Sequence, residues 1–297
     1  IRDRIIRRGF VMSRGKKISL GSVVIYIVLG FWALTTIYPI FWVIINSFKA
    51  KGEILSNSFA LPTGAMFTLA NYRTAFERLS IFSAYRNSMI ISTSVAVIVI
   101  VLAGMASFGL VRYEFKLRKP LNSLVVAGMM FPVFSTIIPV YRMLSSAHMV
   151  NTESLALSLT SVILPQVAGN MSFAIVVLTG YVRSLPIELE ESAYLEGCNP
   201  FQIFYKIVVP LAKPSFATVA IFSFLWSYND LFTQMFLLRL PQHRAITRLL
   251  NELTSNEGTN FGLMAASVAL VIIPILIVYI FLQKYIIKGM TAGAVKG

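Results

Sequence analysis

The sequence predicts an all-α integral membrane protein with six transmembrane helices. Hydrophobic residues make up 57% of the 297 residues and charged residues only 13%, and the mean hydropathy is +0.75. This composition is typical of a polytopic membrane protein and excludes an ordinary soluble globule. Six apolar runs are each long enough to cross a hydrocarbon core about 30 Å thick, which needs roughly 20 helical residues.

The first three spans are predicted in the first half of the chain. A basic segment, residues 1–19, precedes the first apolar run. That run is too long for the apolar core of a signal peptide and ends without a small-residue cleavage site, so an uncleaved first helix is expected. The predicted spans are Leu20 to about Ile45, Tyr85 to Leu110, and about Leu121 to Leu144, the last broken by Pro132 and Pro139.

The second half holds three further spans and one polar interruption. The spans are predicted from Leu155 to Tyr181, from Ser215 to Leu238, and from Phe261 to about Leu282. The predicted organisation is therefore a basic N-terminal tail (1–19), a six-helix membrane domain (20–285) with a polar loop (185–214), and a C-terminal tail (286–297).

The distribution of basic residues predicts the orientation. Six spans place both termini on the same side, and that side carries 17 of the 26 Lys and Arg residues, whereas the other side carries nine. By the positive-inside rule, both termini and the 185–214 loop are expected in the cytoplasm. The net charge of +14 thus comes mostly from basic residues that set the orientation in the membrane, and binding to nucleic acid is not expected.

The sequence holds none of the common catalytic or metal-binding motifs. Cys198 is the only cysteine, and the two histidines, His148 and His243, stand far apart. The chain has no H-E-x-x-H, G-x-S-x-G or Walker A pattern. We therefore expect no enzymatic activity, no metal and no cofactor in this chain.

The Leu185–Pro214 loop predicts two short helices joined by a sharp turn. Pro186 is expected to start the first helix, and Gly197 to end it in a left-handed conformation. Asn199 and Pro200 predict the start of a second helix with Asn199 as its N-cap, and this helix is expected to end at Pro210. Four of the twelve acidic residues lie here, namely Glu188, Glu190, Glu191 and Glu196.

Two interpretations of this loop are open: a solvated acidic loop, or a docking element for a protein outside the membrane. Docking is favoured because acidic residues are scarce elsewhere in the chain and because the Pro, Gly and Asn residues of the loop predict a helix-turn-helix. Buried apolar anchors usually dominate the energy of an interface. The expected anchors are Tyr194, Leu195, Phe201, Phe204, Tyr205 and Ile207.

The same loop resembles a known family motif. Glu191-Ser192-Ala193, then Glu196-Gly197, Ile207 and Pro210, is similar to the EAA loop of binding-protein-dependent ABC importers. The resemblance is strongest to the second permease subunit of the maltose-type oligosaccharide importers, whose C-terminal ending resembles Gly289–Gly297. It covers nearly the whole chain. Ser192, Glu196 and Val209 depart from the family pattern but keep size or charge.

The resemblance implies a permease half that forms a heterodimer with a homologous membrane subunit in the bacterial inner membrane. Two cytoplasmic ATPase subunits would bind ATP and Mg, and an extracytoplasmic binding protein would deliver an oligosaccharide. Two contacts with the ATPase subunits are implied, in the loop and in the C-terminal tail. The residues are Glu190, Glu191, Ser192, Ala193, Glu196, Gly197, Phe201, Phe204, Ile207 and Pro210, and, in the tail, Gly293, Val295, Lys296 and Gly297.

Polar residues interrupt the fourth and fifth spans and are candidates to line the translocation pathway. They are Gln166, Asn170, Trp226, Tyr228, Asn229 and Asp230. Irregular or polar sequence at membrane depth favours a water-lined or protein-lined position. Hydrogen bonding between helices is the alternative for the fourth span. For the fifth span, the resemblance favours pore lining over direct contact with sugar, because the partner permease mainly holds the sugar in the maltose member.

The loop before the last span is a candidate contact for the binding protein. The resemblance places the contact at Leu253 to Thr259, with Leu253, Ser255, Asn256, Glu257 and Gly258 as candidates. The alternative is an interfacial helix, Ala245–Leu253, that lies on the lipid headgroups.

Three other functions stay open from the sequence. An importer of an acidic saccharide such as an oligouronate is possible, because the outer side carries nine basic residues against six acidic ones. An importer of peptides or polyamines is disfavoured by the C-terminal tail. An ion-driven secondary transporter would need paired ionisable groups in the membrane, and Asp230 stands nearly alone.

Overall fold

The computed structural model describes residues 20–78, 80–256 and 260–294, and within these ranges the chain is helical without a strand. An isolated bridge joins Lys49 to Phe67. The helices are α1 (Leu20–Ser47), α2 (Lys51–Ser56), α3 (Ala70–Arg78), α4 (Ile81–Arg112), α5 (Arg118–Gly128), α6 (Val133–Ser146), α7 (Leu155–Val182), α8 (Glu188–Leu195), α9 (Pro200–Leu211), α10 (Lys213–Asn229), α11 (Leu231–Leu237), α12 (Ile246–Asn256) and α13 (Phe261–Ala294).

Four helices of the described chain are long and apolar enough to cross a membrane: α1, α4, α7 and the Phe261–Phe281 part of α13. A fifth is reached if α9 and α10, which meet at 83°, count as one span. The all-α membrane class is thus confirmed, whereas the number six is not. The predicted third span is two helices of 11 and 14 residues, each too short to cross alone.

The break in the predicted third span occurs at residues 129–132. Pro132 stands at the start of α6 with an extended backbone, as its missing N–H allows. The prediction that Pro139 also breaks the span was wrong, because Pro139 lies inside α6. A proline inside a membrane helix is tolerated where neighbouring groups satisfy the freed carbonyl.

The main core lies between α4 and α7. Ile91, Val95 and Val99 on α4 and Val162 and Leu178 on α7 are fully buried against one another. The helix α10 packs closely on α4, since a Cβ atom at Gly104 would lie only 2.6 Å from the Phe216 ring. The two helices that carry the candidate polar residues, α7 and α10, therefore both rest on α4.

A second core joins α3, the start of α4, α10, α12 and α13, with Tyr228, Ile246, Leu249 and Leu263 buried in it. Ala245, just before α12, is also fully buried. The helix of the alternative interpretation, residues 245–253, therefore forms from Ile246 onward. One face of this segment packs on the helix bundle.

The end of α1 is held by a buried polar cluster around Lys49. Lys49 Nζ donates hydrogen bonds to Asn46 Oδ1 at 3.1 Å and to the Asn57 carbonyl at 2.8 Å. Asn71 Nδ2 donates to the carbonyls of Ser47 and Lys49. Burial lowers the pKa of the Lys49 ammonium, and the nearby Glu53 carboxylate opposes this shift. The rest of α1 exposes apolar side chains along most of its length.

Candidate functional site

The α8–α9 hairpin begins at Glu188 after a turn at Ile187. Pro186 precedes the helix by two residues, so the prediction that it starts the helix was wrong. Three carboxylates, Glu188, Glu190 and Glu191, occupy the first turn of α8. They lie at the positive end of the helix dipole, which favours negative charge.

The sharp turn predicted from Gly197 and Asn199 is confirmed. Gly197 adopts a left-handed conformation with φ of 84°. Cys198 N donates to the Ala193 carbonyl and Gly197 N to the Tyr194 carbonyl, the bonding of a Schellman motif. Asn199 Oδ1 accepts from Gln202 N, and Gln202 Oε1 accepts from Asn199 N, both at 2.9 Å. This capping box starts α9.

The second helix does not end at Pro210 as predicted, because α9 continues to Leu211 before the chain bends into α10. A π turn spans Phe204–Val208, and the Val209 N–H donates to the Phe204 carbonyl. Proline cannot donate a helix hydrogen bond, and the wider turn shifts the bonding pattern by one residue just before it. Pro210 itself is exposed.

Glu190 points inward and pairs with Arg112 at the end of α4. Arg112 Nε donates to Glu190 Oε1 at 2.8 Å, and Arg112 Nη2 lies 2.7 Å from the same oxygen. Arg112 Nη2 also donates to the carbonyls of Val182 and Leu185. Both charged side chains are only about a tenth exposed (11% and 10%). The pair ties α8 to the ends of α4 and α7.

A small apolar core lies beneath the hairpin, formed by Phe108, Val182, Ala193, Ile203 and Val208. Phe204 and Ile207 pack against it, and the Phe204 ring also contacts Phe108 and Phe216. Ala193, Phe204 and Ile207 therefore hold the hairpin to the chain itself. This differs from their expected place at a contact with another subunit.

The remaining hairpin side chains form an exposed surface. Tyr194, Leu195, Phe201 and Tyr205 are each more than half exposed, and Glu191 is exposed beside them. We call these five residues the docking surface. Ser192 and Glu196 are also exposed on the hairpin. Large apolar side chains displayed together outside a core mark a site of interaction.

A cavity of about 590 Å³ opens where α7, α10 and the break between α5 and α6 meet. It is lined by Gly128, Met129, Phe131, Thr136, Ile137, Val140, Pro165, Gln166, Ala168, Gly169, Asn170, Trp226, Ser227, Asp230 and Thr233. Gly128 allows α5 to approach α7, since a Cβ atom there would lie 2.5 Å from Ser172 Oγ. The cavity thus brings together four of the six predicted pathway residues.

Gln166 connects α7 to the junction of α10 and α11. Gln166 Nε2 donates to Asp230 Oδ2 at 2.8 Å, and Ser227 Oγ donates to Gln166 Oε1. Asp230 Oδ1 accepts from Thr233 N at 3.0 Å, so the carboxylate caps α11. The most polar residue of the predicted fifth span therefore has a structural role in a helix break, in addition to its place at the cavity.

Asn170 and Trp226 complete the polar and aromatic lining. Asn170 Nδ2 donates to the Gln166 carbonyl at 2.7 Å, whereas the buried Asn170 Oδ1 has no hydrogen-bond partner among the described residues. Trp226 is 46% exposed, and the centroid of its ring lies 4.8 Å from that of the Phe173 ring.

Tyr228 and Asn229 do not line the cavity. Tyr228 is fully buried in the second core, and Asn229 Nδ2 donates to the Leu225 carbonyl on the surface of α10. Successive helical residues are about 100° apart, so Trp226 and Asp230 share a face that Tyr228 does not. Of the four candidates in this stretch, two therefore reach the cavity and two do not.

Residues 96–292, more than half of the chain, match the family of binding-protein-dependent transport system inner membrane components. The chain belongs to this family. It is a multi-pass, non-catalytic permease component of an ABC importer. The resemblance found in the α8–α9 hairpin and the C-terminal tail is therefore confirmed at the level of the family.

The permease is similar along most of its length to named relatives. It is 32% identical over 260 residues to the melibiose/raffinose/stachyose import permease MelC of Bacillus subtilis, covering 87% of this chain and 91% of the relative. It is 31% identical over 267 residues to the arabinooligosaccharides transport permease AraQ of Bacillus subtilis, covering 89% and 92%.

A solved structure has the same fold as the permease. This is a chain of a bacterial ABC transporter involved in the import of the acidic polysaccharide alginate, with a TM-score of 0.74 and 22% identity. The similarity covers 92% of the permease and 98% of that chain. At this identity it supports the fold alone.

Several predicted contact residues lie at or beyond the limits of the described chain. Gly293 lies in α13, which continues twelve residues past the expected end of the last span, whereas Val295, Lys296 and Gly297 fall outside the described residues. Leu253, Ser255 and Asn256 lie in the last turns of α12, and Glu257 and Gly258 fall outside. The basic tail, residues 1–19, is also outside.

Three residues that build these sites are not among the sequence-based candidates: Arg112, Ser227 and Thr233. Arg112 follows an apolar run, where a basic residue is typical of the end of a span, although an arginine is also a candidate partner for an acidic helix. Ser227 lies within the polar stretch 226–230, whereas Thr233 carries no signal that separates it from other hydroxyl residues in apolar helices. Among the described residues, no cluster of His, Cys, Asp or Glu could hold a metal.

Proposed function

We propose that the permease forms half of the translocation pathway of an ATP-driven oligosaccharide importer and receives its driving motion through the α8–α9 hairpin. The observation that carries this proposal is the docking surface. Tyr194, Leu195, Phe201 and Tyr205 are displayed outward from a hairpin that is itself tied to the bundle.

The partner of the docking surface is an ATPase subunit on the predicted cytoplasmic side. Apolar and aromatic anchors would supply most of the binding energy, and Glu191 would orient the contact through a basic residue of the ATPase. ATP and Mg would be bound by the ATPase subunits. Gly293, Val295, Lys296 and Gly297 are proposed as a second contact with them.

Motion of the hairpin would pass to the membrane helices through its internal contacts. The Arg112–Glu190 pair and the apolar core beneath the hairpin connect α8 and α9 to α4 and α7. Packed interiors resist compression and transmit displacement. A shift of the docked hairpin is therefore expected to move the helices that line the cavity, without any chemical step in the permease.

The proposed solute is an oligosaccharide. The names of the relatives refer to melibiose, raffinose, stachyose and arabinooligosaccharides. The cavity at the polar junction of α7 and α10 is the proposed path, with Gln166, Asn170, Trp226 and Asp230 lining it. A homologous second permease subunit would form the other half. A binding protein would deliver the solute near residues 253–258, where Leu253, Ser255, Asn256, Glu257 and Gly258 are the candidates.

The docking proposal is tested by changing the exposed surface alone. Leu195→Asp and Glu191→Lys should leave the permease inserted but reduce co-purification of the ATPase subunits and abolish ATP-dependent uptake in vesicles. Glu114→Lys, an exposed carboxylate between α4 and α5 on the same predicted side, is the matched control and should behave as the unchanged protein. Normal ATPase association and uptake in both docking variants would contradict the proposal.

A further inference from the structure

Two residues that line the cavity, Asn170 and Asp230, carry hydrogen-bond acceptors whose capacity is not filled by the described residues. Asn170 is 8% exposed, and its Oδ1 atom lacks a donor among the described residues. A buried carbonyl oxygen without a donor costs free energy, which a ligand hydroxyl would recover. The Nδ2 group already donates to the Gln166 carbonyl, so the amide oxygen is the atom of this side chain that lacks a partner.

Asp230 adds a second acceptor in the same cavity. Each of its carboxylate oxygens accepts one hydrogen bond, from Gln166 Nε2 and from Thr233 N. An ionised carboxylate has about four acceptor positions, so further donors can be accommodated. Gln166, by contrast, uses its amide nitrogen on Asp230 and its amide oxygen on Ser227. Among the amide and carboxylate groups of these three residues, the unfilled positions are therefore acceptors.

Trp226 supplies an apolar wall of fixed orientation. Its ring lies against Phe173 at 4.8 Å and Phe222 at 6.0 Å, and nearly half of it remains exposed. A flat ring next to acceptors suits a sugar unit, whose C–H face is apolar and whose edge carries hydroxyl donors. The volume of about 590 Å³ lies within the usual range for a small-molecule site.

The charge of the cavity discriminates between the two saccharide classes left open by the sequence. No Lys, Arg or His stands among the described residues that line it, and Asp230 is an acid. A uronate carboxylate would meet acceptors and a like charge, which is unfavourable for binding. The surplus of basic residues predicted on the outer side does not extend into this cavity.

We infer that Asn170, Trp226 and Asp230 form a solute subsite that takes a neutral, hydroxyl-rich sugar unit and disfavours a uronate. The inference rests on the proposed function. It differs from the maltose-type resemblance, which implies that the sugar is held mainly by the partner permease.

The test measures sugar binding directly in the assembled permease–ATPase complex in nanodiscs, without binding protein. The probes are raffinose, arabinotriose and trigalacturonate. The signal is the difference in fluorescence between complexes that carry Trp226 and those with Trp226→Phe. At least one neutral trisaccharide should give a saturable signal. Trigalacturonate should bind more weakly.

Two matched variants test the named groups. Asn170→Ala should weaken neutral-sugar binding about tenfold, as expected for one lost hydrogen bond, whereas Asn229→Ala on the adjacent surface should not. Asp230→Asn keeps a good helix cap, removes the charge and should strengthen trigalacturonate binding.

Three results would overturn the inference: no saturable signal from either neutral sugar, equal affinities in Asn170→Ala and Asn229→Ala, or trigalacturonate binding as tightly as the neutral sugars. Co-purification of the ATPase subunits is measured on the same preparations. It tests docking separately, so loss of sugar binding with intact ATPase association contradicts the subsite alone.

Discussion

Arg112 links three segments through one guanidinium group. It pairs with Glu190 on α8 and binds the carbonyls of Val182 and Leu185 at the end of α7. Both charged side chains are largely removed from solvent, so each charge is stabilised mainly by the opposite charge of its partner. Breaking such a pair by removing one partner typically costs about 3–5 kcal/mol, because the remaining charge is left buried and unpaired.

We expect Glu190→Ala to lower the stability of the permease by about 3 kcal/mol, measured as a lower midpoint of thermal unfolding in detergent. Glu188→Ala, an exposed carboxylate on the same helix, is the control and should change stability by less than about 0.5 kcal/mol. Replacing both partners, Arg112→Met with Glu190→Met, should be less harmful than Glu190→Ala. Equal midpoints for the two single variants would contradict a structural role for the pair.

At the scale of elements, the α8–α9 hairpin depends on a turn that only a residue tolerant of positive φ can make. Gly197 has φ of 84°, and a Cβ atom there would meet no atom within 4 Å. The cost of a side chain is therefore conformational and not steric. A left-handed residue with a Cβ atom costs roughly 1–2 kcal/mol.

Gly197→Ala should therefore loosen the hairpin locally. We expect hydrogen exchange of the α8 and α9 amides to accelerate about tenfold, the change that corresponds to about 1.4 kcal/mol. Gly180→Ala, in open space within α7, is the control and should leave exchange unchanged or slower, because alanine favours helix. Unchanged exchange in the hairpin of Gly197→Ala would show that the turn conformation does not limit its stability.

At the scale of the whole molecule, α7 connects the α8–α9 hairpin with the cavity. Asn170 lines the cavity, and twelve residues later the Val182 carbonyl accepts a hydrogen bond from Arg112 Nη2. At 1.5 Å per residue, these points lie about 18 Å apart along one helix. A displacement of the hairpin can therefore reach the cavity through α7. It also reaches α4, which packs along α7 and carries Arg112.

This arrangement predicts that transport depends on ATP and not on an ion gradient. In proteoliposomes holding the complete importer, uptake of a neutral trisaccharide should require ATP on the ATPase side and a loaded binding protein. It should survive a proton ionophore. Asp230, the one charged residue of the predicted fifth span, caps α11 and accepts a hydrogen bond from Gln166. Uptake driven by an ion gradient without ATP would favour a secondary transporter instead.

Much of this molecule could be predicted from the sequence where the signal is local. Hydropathy identified the helical membrane class, because each span must satisfy its own backbone in lipid. The stop at Gly197 and the cap at Asn199 could be predicted because both depend on residues within one turn. The helix boundaries near Pro186, Pro139 and Pro210 could not be predicted in this way. A proline only removes one backbone hydrogen bond, and tertiary packing decides whether the helix continues past it.

The sequence by itself determined the class of the protein, its family motif and the two polar interruptions that become the cavity. Only the tertiary structure decided which side chains in those stretches face each other. Glu190 turns inward because it pairs with Arg112, which lies 78 positions away in the chain. Gln166 likewise bonds Asp230, which lies 64 positions away. Trp226 faces the cavity while Tyr228, two residues on, is buried in another core. Hydropathy and capping act over a few residues, whereas the direction of a side chain depends on which helices pack against it.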